Sequence, residues 1–455
     1  MPINSFLYPA PSTPTFAYNV DNSLRFNAGD SMRLTRSFSA GSSTLWTWSG
    51  WIKRSKLGSR QIIFSAYNSS TYYTTMEFTA DDYLKFNDEN NNNTNGRIQS
   101  SAKYRDPSAW MHIVFHWDSS DSTSADRLRM YVNNERITSF SDTGNYPSTG
   151  SQVNTAITHE IGSMNNSNFF EGYMTEVVFI NGANLDPDQF GEYNEDSPTI
   201  WQPKDISGLT FGTTGFYLDF EDSGDMGDDE SGNGNDWTEV NIAATDQSTD
   251  TCTNNFATMN PLFAGDSNIT YSEGNLKTTA ANESQKNAVS TLAVSSGKWY
   301  CEMVSRNGTN YPGFGIMDIG SALQTSVSYL GSTADSYCMF QGGLDYNNGS
   351  ENNIGTSWGE NVIMGIAIDL DSSTKTIKYY KAGSEIHSRT ISTPANGYVF
   401  AVTQDTNGTI SEINFGSPPY SESGGNSDGN GYGNFSMSVP SGYYALNTKN
   451  LAEFG

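Results

Sequence analysis

From residue 24 onward, short apolar and aromatic runs alternate with clusters of Gly, Asn, Asp and Ser. In the first part of the chain these runs are LWTWSGWI at 45–52, QIIFSAY at 61–67, WMHIVFHW at 110–117, RLRMYVN at 127–133 and YMTEVVFING at 173–182. A second group comprises KWYCEMV at 298–304, NVIMGIAIDL at 361–370, TIKYYKAG at 376–383, YVFAVT at 398–403 and ISEINFG at 410–416. Partial period-2 alternation bounded by turn formers predicts half-buried β-strands. The one helical signal is NLDPDQFGEY at 184–193, where Asp186 can cap, Pro187 suits the first turn and Gln189 completes a capping-box spacing. It allows one or two turns. The pattern predicts an all-β chain of two antiparallel β-sandwiches over 21–205 and 256–416. No exact repeat of 20–50 residues suggests a solenoid or propeller.

Composition supports this reading. Aromatic residues reach 13% of the 455 positions, too many for a disordered chain, while 46 Asn and 43 Gly carry the polarity in place of helix-favouring Glu and Lys. Residues 1–20 interleave Pro2, Pro9, Pro11 and Pro14 with Phe6, Tyr8, Phe16 and Tyr18, predicting an extended arm that covers the domain or docks elsewhere. This stretch lacks a basic leader region and a continuous apolar segment, so synthesis without export is expected. No apolar run approaches membrane-spanning length. Residues 417–455 read as a Gly/Ser/Asn-rich loop and a C-terminal segment.

A formal charge of −26 disfavours a phosphate backbone as partner, and no membrane insertion is expected. Residues 205–276 hold 14 acidic and no basic side chains, so 206–255 reads as an acidic linker packed on the sandwiches. Cys252, Cys301 and Cys338 form no CxxC pair and read as free thiols.

Within the acidic stretch, Asp222, Asp225, Asp228, Asp229, Asn235 and Asp236 offer the oxygen ligands that calcium requires, with Asp225, Asp228, Asp229 and Asp236 as the candidate set. The same residues also read as a solvated acidic loop, and both readings stand at this point. Asp88, Glu89 and Asn90–Asn93 read as a polar hairpin tip. Asp219 with Glu221, and Asp369 with Asp371, alternate as glycosidase carboxylates would, but neither pair completes the pattern. His112 and His116 share one strand face about 13 Å apart, too far for one metal to bridge. With no GxSxG, P-loop or GxGxxG context, the chain is not expected to be an enzyme. Tyr67, Tyr72, Tyr73, Tyr311, Tyr346 and Trp358 lie in loop-like, Asn-rich surroundings. They are candidates for a glycan- or partner-binding rim, against the alternative that they cap the sandwich edges.

Two segments carry family resemblances. SLRFNAGDSMRLT at 23–35, WTWSGWIKRS at 46–55, AWMHIVFHWD at 109–118, LRMYVNNERI at 128–137, EIGS at 160–163 and FFEGYMTEVVFINGANLDPDQF at 169–190 resemble, in that order, a concanavalin A-like jelly roll of the laminin G/pentraxin type. GKWYCEMV at 297–304, GFGI at 313–316, the run from Trp358 to Gly383 and EINFG at 412–416 resemble a SPRY domain, with Ala382 where Asn usually precedes the turn glycine. Together with GFYLDFED at 215–222 and DESGNGNDWT at 229–238, the arrangement is similar to tail-fibre and other virion surface proteins of marine tailed phages. That resemblance implies a virion surface protein binding a host glycan or envelope protein, anchored to other virion proteins through its arm and oligomeric. The alternatives are a capsid decoration or tail-assembly protein, and a polysaccharide-degrading enzyme.

Overall fold

The computed structural model describes residues 18–263, 268–281, 286–307, 312–321, 323, 328–404, 408–422 and 424–455. Among them the chain forms two antiparallel β-sandwiches. In the first, one sheet runs in the spatial order Glu135–Arg136, Leu128–Val132, Trp110–Asp118, Leu45–Arg54, Gly172–Asn181, Ser23–Phe26 and Gln247–Ser248. Its partner sheet runs Phe140–Thr143, Asn93–Lys103, Tyr83–Asn90, Tyr72–Phe78, Gln61–Ser69, Thr158–Ile161, Arg33–Ser37 and Thr238–Val240.

Alternation along Leu45–Arg54 sends Trp46, Trp48 and Ile52 into the core between the sheets, where Trp46 stacks on its register partner Trp117 at 6.0 Å. A side chain at Gly50 would meet the Trp48 indole at 2.7 Å, so glycine there makes room for the ring. Thr47, Ser49 and Trp51 face the other way. This outer face is roofed: Phe190, Ile206 and Phe211 pack on Val114, Tyr131, Val178 and Ile180, and Leu185 donates its N–H to Thr47 Oγ1 at 3.0 Å.

Segment 206–255, expected to be a linker, is instead part of this sandwich. Phe216–Leu218 pairs with Gly172–Asn181, Thr238–Val240 with Arg33–Ser37, and Gln247–Ser248 with Ser23–Phe26, so it extends both sheets. Phe216, Leu218, Phe220, Met226 and Trp237 join the core. Asp219, Glu221, Asp222, Asp225, Asp228, Asp229, Glu230 and Asp236 lie in the stretches between these short strands. The expected helix at 184–193 is a single 3-10 turn, Pro187–Gln189, and Asp186 makes no side-chain cap. The one α-helix among the described residues is Thr448–Phe454, capped by Asn447, whose side chain accepts from the Asn450 N–H. Most of the predicted arm, residues 1–17, lies outside the described residues.

In the second sandwich one sheet runs Ile269–Ser272, Lys277–Ala280, Ile410–Asn414, Lys298–Ser305, Met364–Asp369, Thr376–Lys381 and Ser384–Thr390, with Tyr444–Ala445 added parallel to Lys298–Ser305. The other runs Lys286–Val289, Tyr398–Gln404, Gly313–Asp318, Ser336–Phe340, Leu344–Asn347 and Ser350–Asn353. The seam between sandwiches is polar and buried. Lys53 Nζ donates to Asp250, to Asn255 Oδ1 and to the Phe256 carbonyl at 2.7, 2.7 and 3.0 Å. Arg25 donates to the carbonyls of Thr245 and Pro418 at 2.9 and 3.1 Å.

Candidate functional site

With one outer face of the first sandwich roofed, the other belongs to the sheet containing Gln61–Ser69, Tyr72–Phe78, Tyr83–Asn90 and Asn93–Lys103. Phe64, Ala66, Met76, Phe78, Leu84, Phe86 and Ile98 point into the core, so alternation turns Ser65, Tyr67, Tyr73, Thr75, Glu77, Lys85, Asn87, Glu89, Arg97 and Gln99 outward. Strand register arranges these as transverse rows. Thr158, Tyr67, Tyr73, Glu89 and Thr94 form one row. Glu160, Ser65, Thr75, Asn87 and Arg97 form the next, and Glu77, Lys85 and Gln99 the third.

The middle row is the floor. Ser65, Thr75 and Asn87 are buried, whereas Tyr67, Tyr73, Glu89 and Arg97 are partly exposed around them. Thr75 Oγ1 and Asn87 Oδ1, register neighbours, have no hydrogen-bond partner among the described residues. Unsatisfied buried acceptors of this kind are uncommon and costly. The rim is held in place: Arg60 donates to Glu77 at 3.0 Å, Thr94 donates to Glu89 at 3.0 Å and Arg97 pairs with Asp142 at 3.0 Å. Burial, and then the charge of Glu89, push the Tyr73 phenol up, so it stays neutral at neutral pH. Tyr67 and Tyr73 as cross-strand neighbours, with the Glu89 carboxylate and the Arg97 guanidinium alongside, suit a ligand that presents both C–H faces and hydroxyls.

The structure treats the sequence-predicted aromatics differently. Tyr67 and Tyr73 are direct register partners on this face. Tyr72 stands at the hairpin end opposite Asn90, with the opposite orientation. Tyr346 belongs to the second sandwich, where it packs against Tyr329 and Phe340 and donates to Glu351. Trp358 is a correction: it is 5% exposed and stacks on Phe314 in the second core, so it offers no ring to a rim. Tyr311 lies outside the described residues. Sequence reading missed Thr75, Asn87 and Arg97, whose signal was the alternation of polar residues with Met76, Phe86 and Ile98.

The acidic candidates act as loop-closing acceptors. Asp229 takes N–H groups from Tyr217, Ser231 and Asn235 at 2.7–3.0 Å and the Ser231 hydroxyl at 2.8 Å. Asp236 accepts from the Asp229 N–H at 3.3 Å, and Asp225 from the Gly227 N–H at 3.2 Å. Asp228 sits beside them, its N–H bonded to the Asp225 carbonyl. No group of three His, Cys, Asp or Glu suited to a metal occurs among the described residues. Asp88, expected at a hairpin tip, lies in the strand facing inward. It accepts from Thr74, from Asn95 at 2.9 Å and from the Gln152 N–H at 3.0 Å, and burial raises its pKa to about 6. The actual tip is Asn91–Asn92, both at positive φ.

Asp219 and Glu221 do not share a strand face, because the strand ends at Leu218 and Phe220 turns the chain at φ 63°. Asp369 is committed to the Asp371 and Ser372 N–H groups and to Lys298, which hold its carboxyl down at about 2. Beneath the roof, His112 Nδ1 accepts from Trp201 Nε1 at 3.1 Å, so Nε2 carries the proton toward Ser49 Oγ at 2.7 Å. In that tautomer the imidazole cannot take a proton from the serine, and burial keeps it neutral, its pKa lowered to about 3.

Residues 26–188 match the family described as the Concanavalin A-like lectin/glucanases superfamily. No curated protein matches the chain. Among solved structures, the TRIM65 PSpry domain is similar at 12% identity and TM-score 0.29, over 35% of this chain and 88% of that one. The SPRY domain of human HERC1 is similar at 16% identity and TM-score 0.29, over 34% and 96%. A native heptameric SAP-like pentraxin from Limulus polyphemus is similar at 17% identity and TM-score 0.27, over 37% and 80%. The face built on Tyr67 and Tyr73 thus lies within the segment that is similar to the concanavalin A-like superfamily.

Proposed function

We propose that the protein is a non-catalytic binding protein whose first sandwich recognises a host-surface glycan on the face formed by Tyr67, Tyr73, Glu89 and Arg97. The observation that carries this reading is the cross-strand pair Tyr67 and Tyr73, both partly exposed on one sheet face beside the partly exposed Glu89 and Arg97. A sugar ring stacks its C–H face on tyrosine while its hydroxyls hydrogen-bond to carboxylate and guanidinium groups such as those of Glu89 and Arg97. The carboxylates of this face are already engaged by Arg60, Thr94 and Ser163, which suits recognition over proton transfer.

The setting proposed with it is the surface of a tailed-phage virion, in a tail fibre or related appendage. Support comes from the resemblance of the whole arrangement and from the Pro- and aromatic-rich first 20 residues, which in this reading anchor the protein to another virion component or a neighbouring copy. An array of host-surface glycans probed with the full chain and with Tyr73→Ala tests the binding function. Retention of a glycan class by the wild type and its loss in the variant supports the reading. No retained glycan, or release of reducing ends from a bound polysaccharide, contradicts it.

A further inference from the structure

Among the clefts that the described residues form along the seam between the sandwiches, two share a wall. One, of about 230 Å³, lies between Asn22, Thr245, Gln247 and Thr249 of the first sandwich and Ser421 and Asn434 beyond the second. The other, of about 270 Å³, has Asp21 and Thr251 on one side and Tyr432 and Lys449 on the other. Asn22 and Thr249 line both and form their common wall.

The lining chemistry selects the ligand. Although 16% of the chain is charged, the first cleft is lined without any carboxylate, ammonium or guanidinium. It presents hydroxyls and amides, which both donate and accept. An ion moved there from water would gain no counter-charge, whereas a polyol exchanges its water hydrogen bonds for equivalent ones. The Asn22 side chain, partly exposed on the common wall, has no partner among the described residues. In the second cleft the partly exposed Tyr432 adds a ring, with the Lys449 ammonium 5.6 Å from its centre. Each volume is below the roughly 300–1,000 Å³ of a drug-sized site, which suits one ring per cleft.

The walls are preformed. Ser248 and Ser417 share a hydroxyl hydrogen bond of 2.6 Å, Thr249 donates to the Gly416 carbonyl at 3.1 Å, and Arg25 holds both Thr245 and Pro418. We propose that the seam binds a neutral saccharide, one ring in each cleft across the Asn22 and Thr249 wall, and that the ligand thereby clasps the two sandwiches together. This site is separate from the Tyr67 and Tyr73 face and stands whether or not that face binds a glycan.

The test uses the full chain with maltose, cellobiose, lactose and N,N′-diacetylchitobiose as probes, read by titration calorimetry and by the ligand-induced rise in melting temperature. Two seam variants are compared with the wild type: Asn22→Ala, which removes a side chain without a partner, and Ser421→Trp, which fills the first cleft from an exposed position. At least one probe should bind the wild type, raise its melting temperature, and bind each seam variant about tenfold more weakly or worse. Tyr73→Ala should leave that binding unchanged. The proposal is overturned if none of the probes binds, or if the bound probe is insensitive to both seam variants. Loss in Tyr73→Ala alone assigns the binding to the open face and also overturns it.

Discussion

Lys53 and Asp250 meet at 2.7 Å with both side chains only 1% exposed, tying the central strand of the first sandwich to the segment that enters the second. Asp250 also accepts from Trp110 Nε1 at 3.0 Å and from the Phe256 N–H at 3.2 Å, so this one carboxylate joins three parts of the chain. Removing one partner of a buried pair strands the other charge. Lys53→Met is expected to cost about 3–5 kcal/mol, read as a lower midpoint in urea unfolding. The double variant Lys53→Met with Asp250→Asn should lose less than the single one, because no charge is left buried.

The hairpin between Thr376–Lys381 and Ser384–Thr390 turns through Ala382 at φ 49° and Gly383 at φ 77°. A two-residue turn with both residues at positive φ favours Asn-Gly, and an alanine Cβ is crowded in that conformation. Ala382→Asn should therefore stabilise the protein by about 0.5–1 kcal/mol. An unchanged or lower unfolding midpoint would count against this account of the turn.

Glu176 sits at φ 51° in a bulge of Gly172–Asn181 and accepts from Tyr217 at 2.8 Å and Tyr18 at 3.4 Å. Burial, with Asp219 and Glu221 nearby, raises its pKa to about 8 against the bonds from Tyr217 and Tyr18. The unfolded chain releases this proton near 4.5, so between that pH and about 8 the folded state holds the extra proton. Its contribution is fully present below 4.5 and is lost as pH rises through about 8, by up to about 1.4 kcal/mol per pH unit. Glu176→Gln keeps an acceptor for Tyr217 but cannot titrate. The difference in unfolding free energy between wild type and variant should drift against the wild type from pH 5 to pH 8, and a constant difference would refute the assignment.

Much of the fold was legible because long strands carry strong alternation. Trp46, Trp48 and Ile52 announced a core-facing strand, and Phe314, Ile366 and Phe400 lie in strands of the second core. The integration of 206–255 was not legible, since strands of two or three residues such as Phe216–Leu218 are too short to show a period and are masked by the acidic turns around them. The same limit applied to Asp88, which alternation with Phe86 places inward although it stands beside Asn87 and just ahead of the Asn90–Asn93 run. At the site, the sequence pointed to Tyr67 and Tyr73 singly but not to their adjacency, which depends on a register irregularity between Tyr67 and Ser69 and on the hairpin that follows. Trp358 misled because a Gly/Ser-rich neighbourhood reads as surface, whereas the loop carrying it folds back onto Phe314.

The Tyr67 and Tyr73 face is proposed to bind a glycan through ring stacking beside Glu89 and Arg97. The test is the dissociation constant of the glycan retained on the array, determined for the wild type, Tyr67→Ala, Tyr73→Ala and Arg97→Ala, with melting temperature as a control for folding. Each substitution is expected to weaken binding about tenfold or more, as for the loss of roughly 1.4 kcal/mol, while the seam variant Ser421→Trp binds as the wild type does. Equal affinity across the three face variants, with all of them folded, would contradict it.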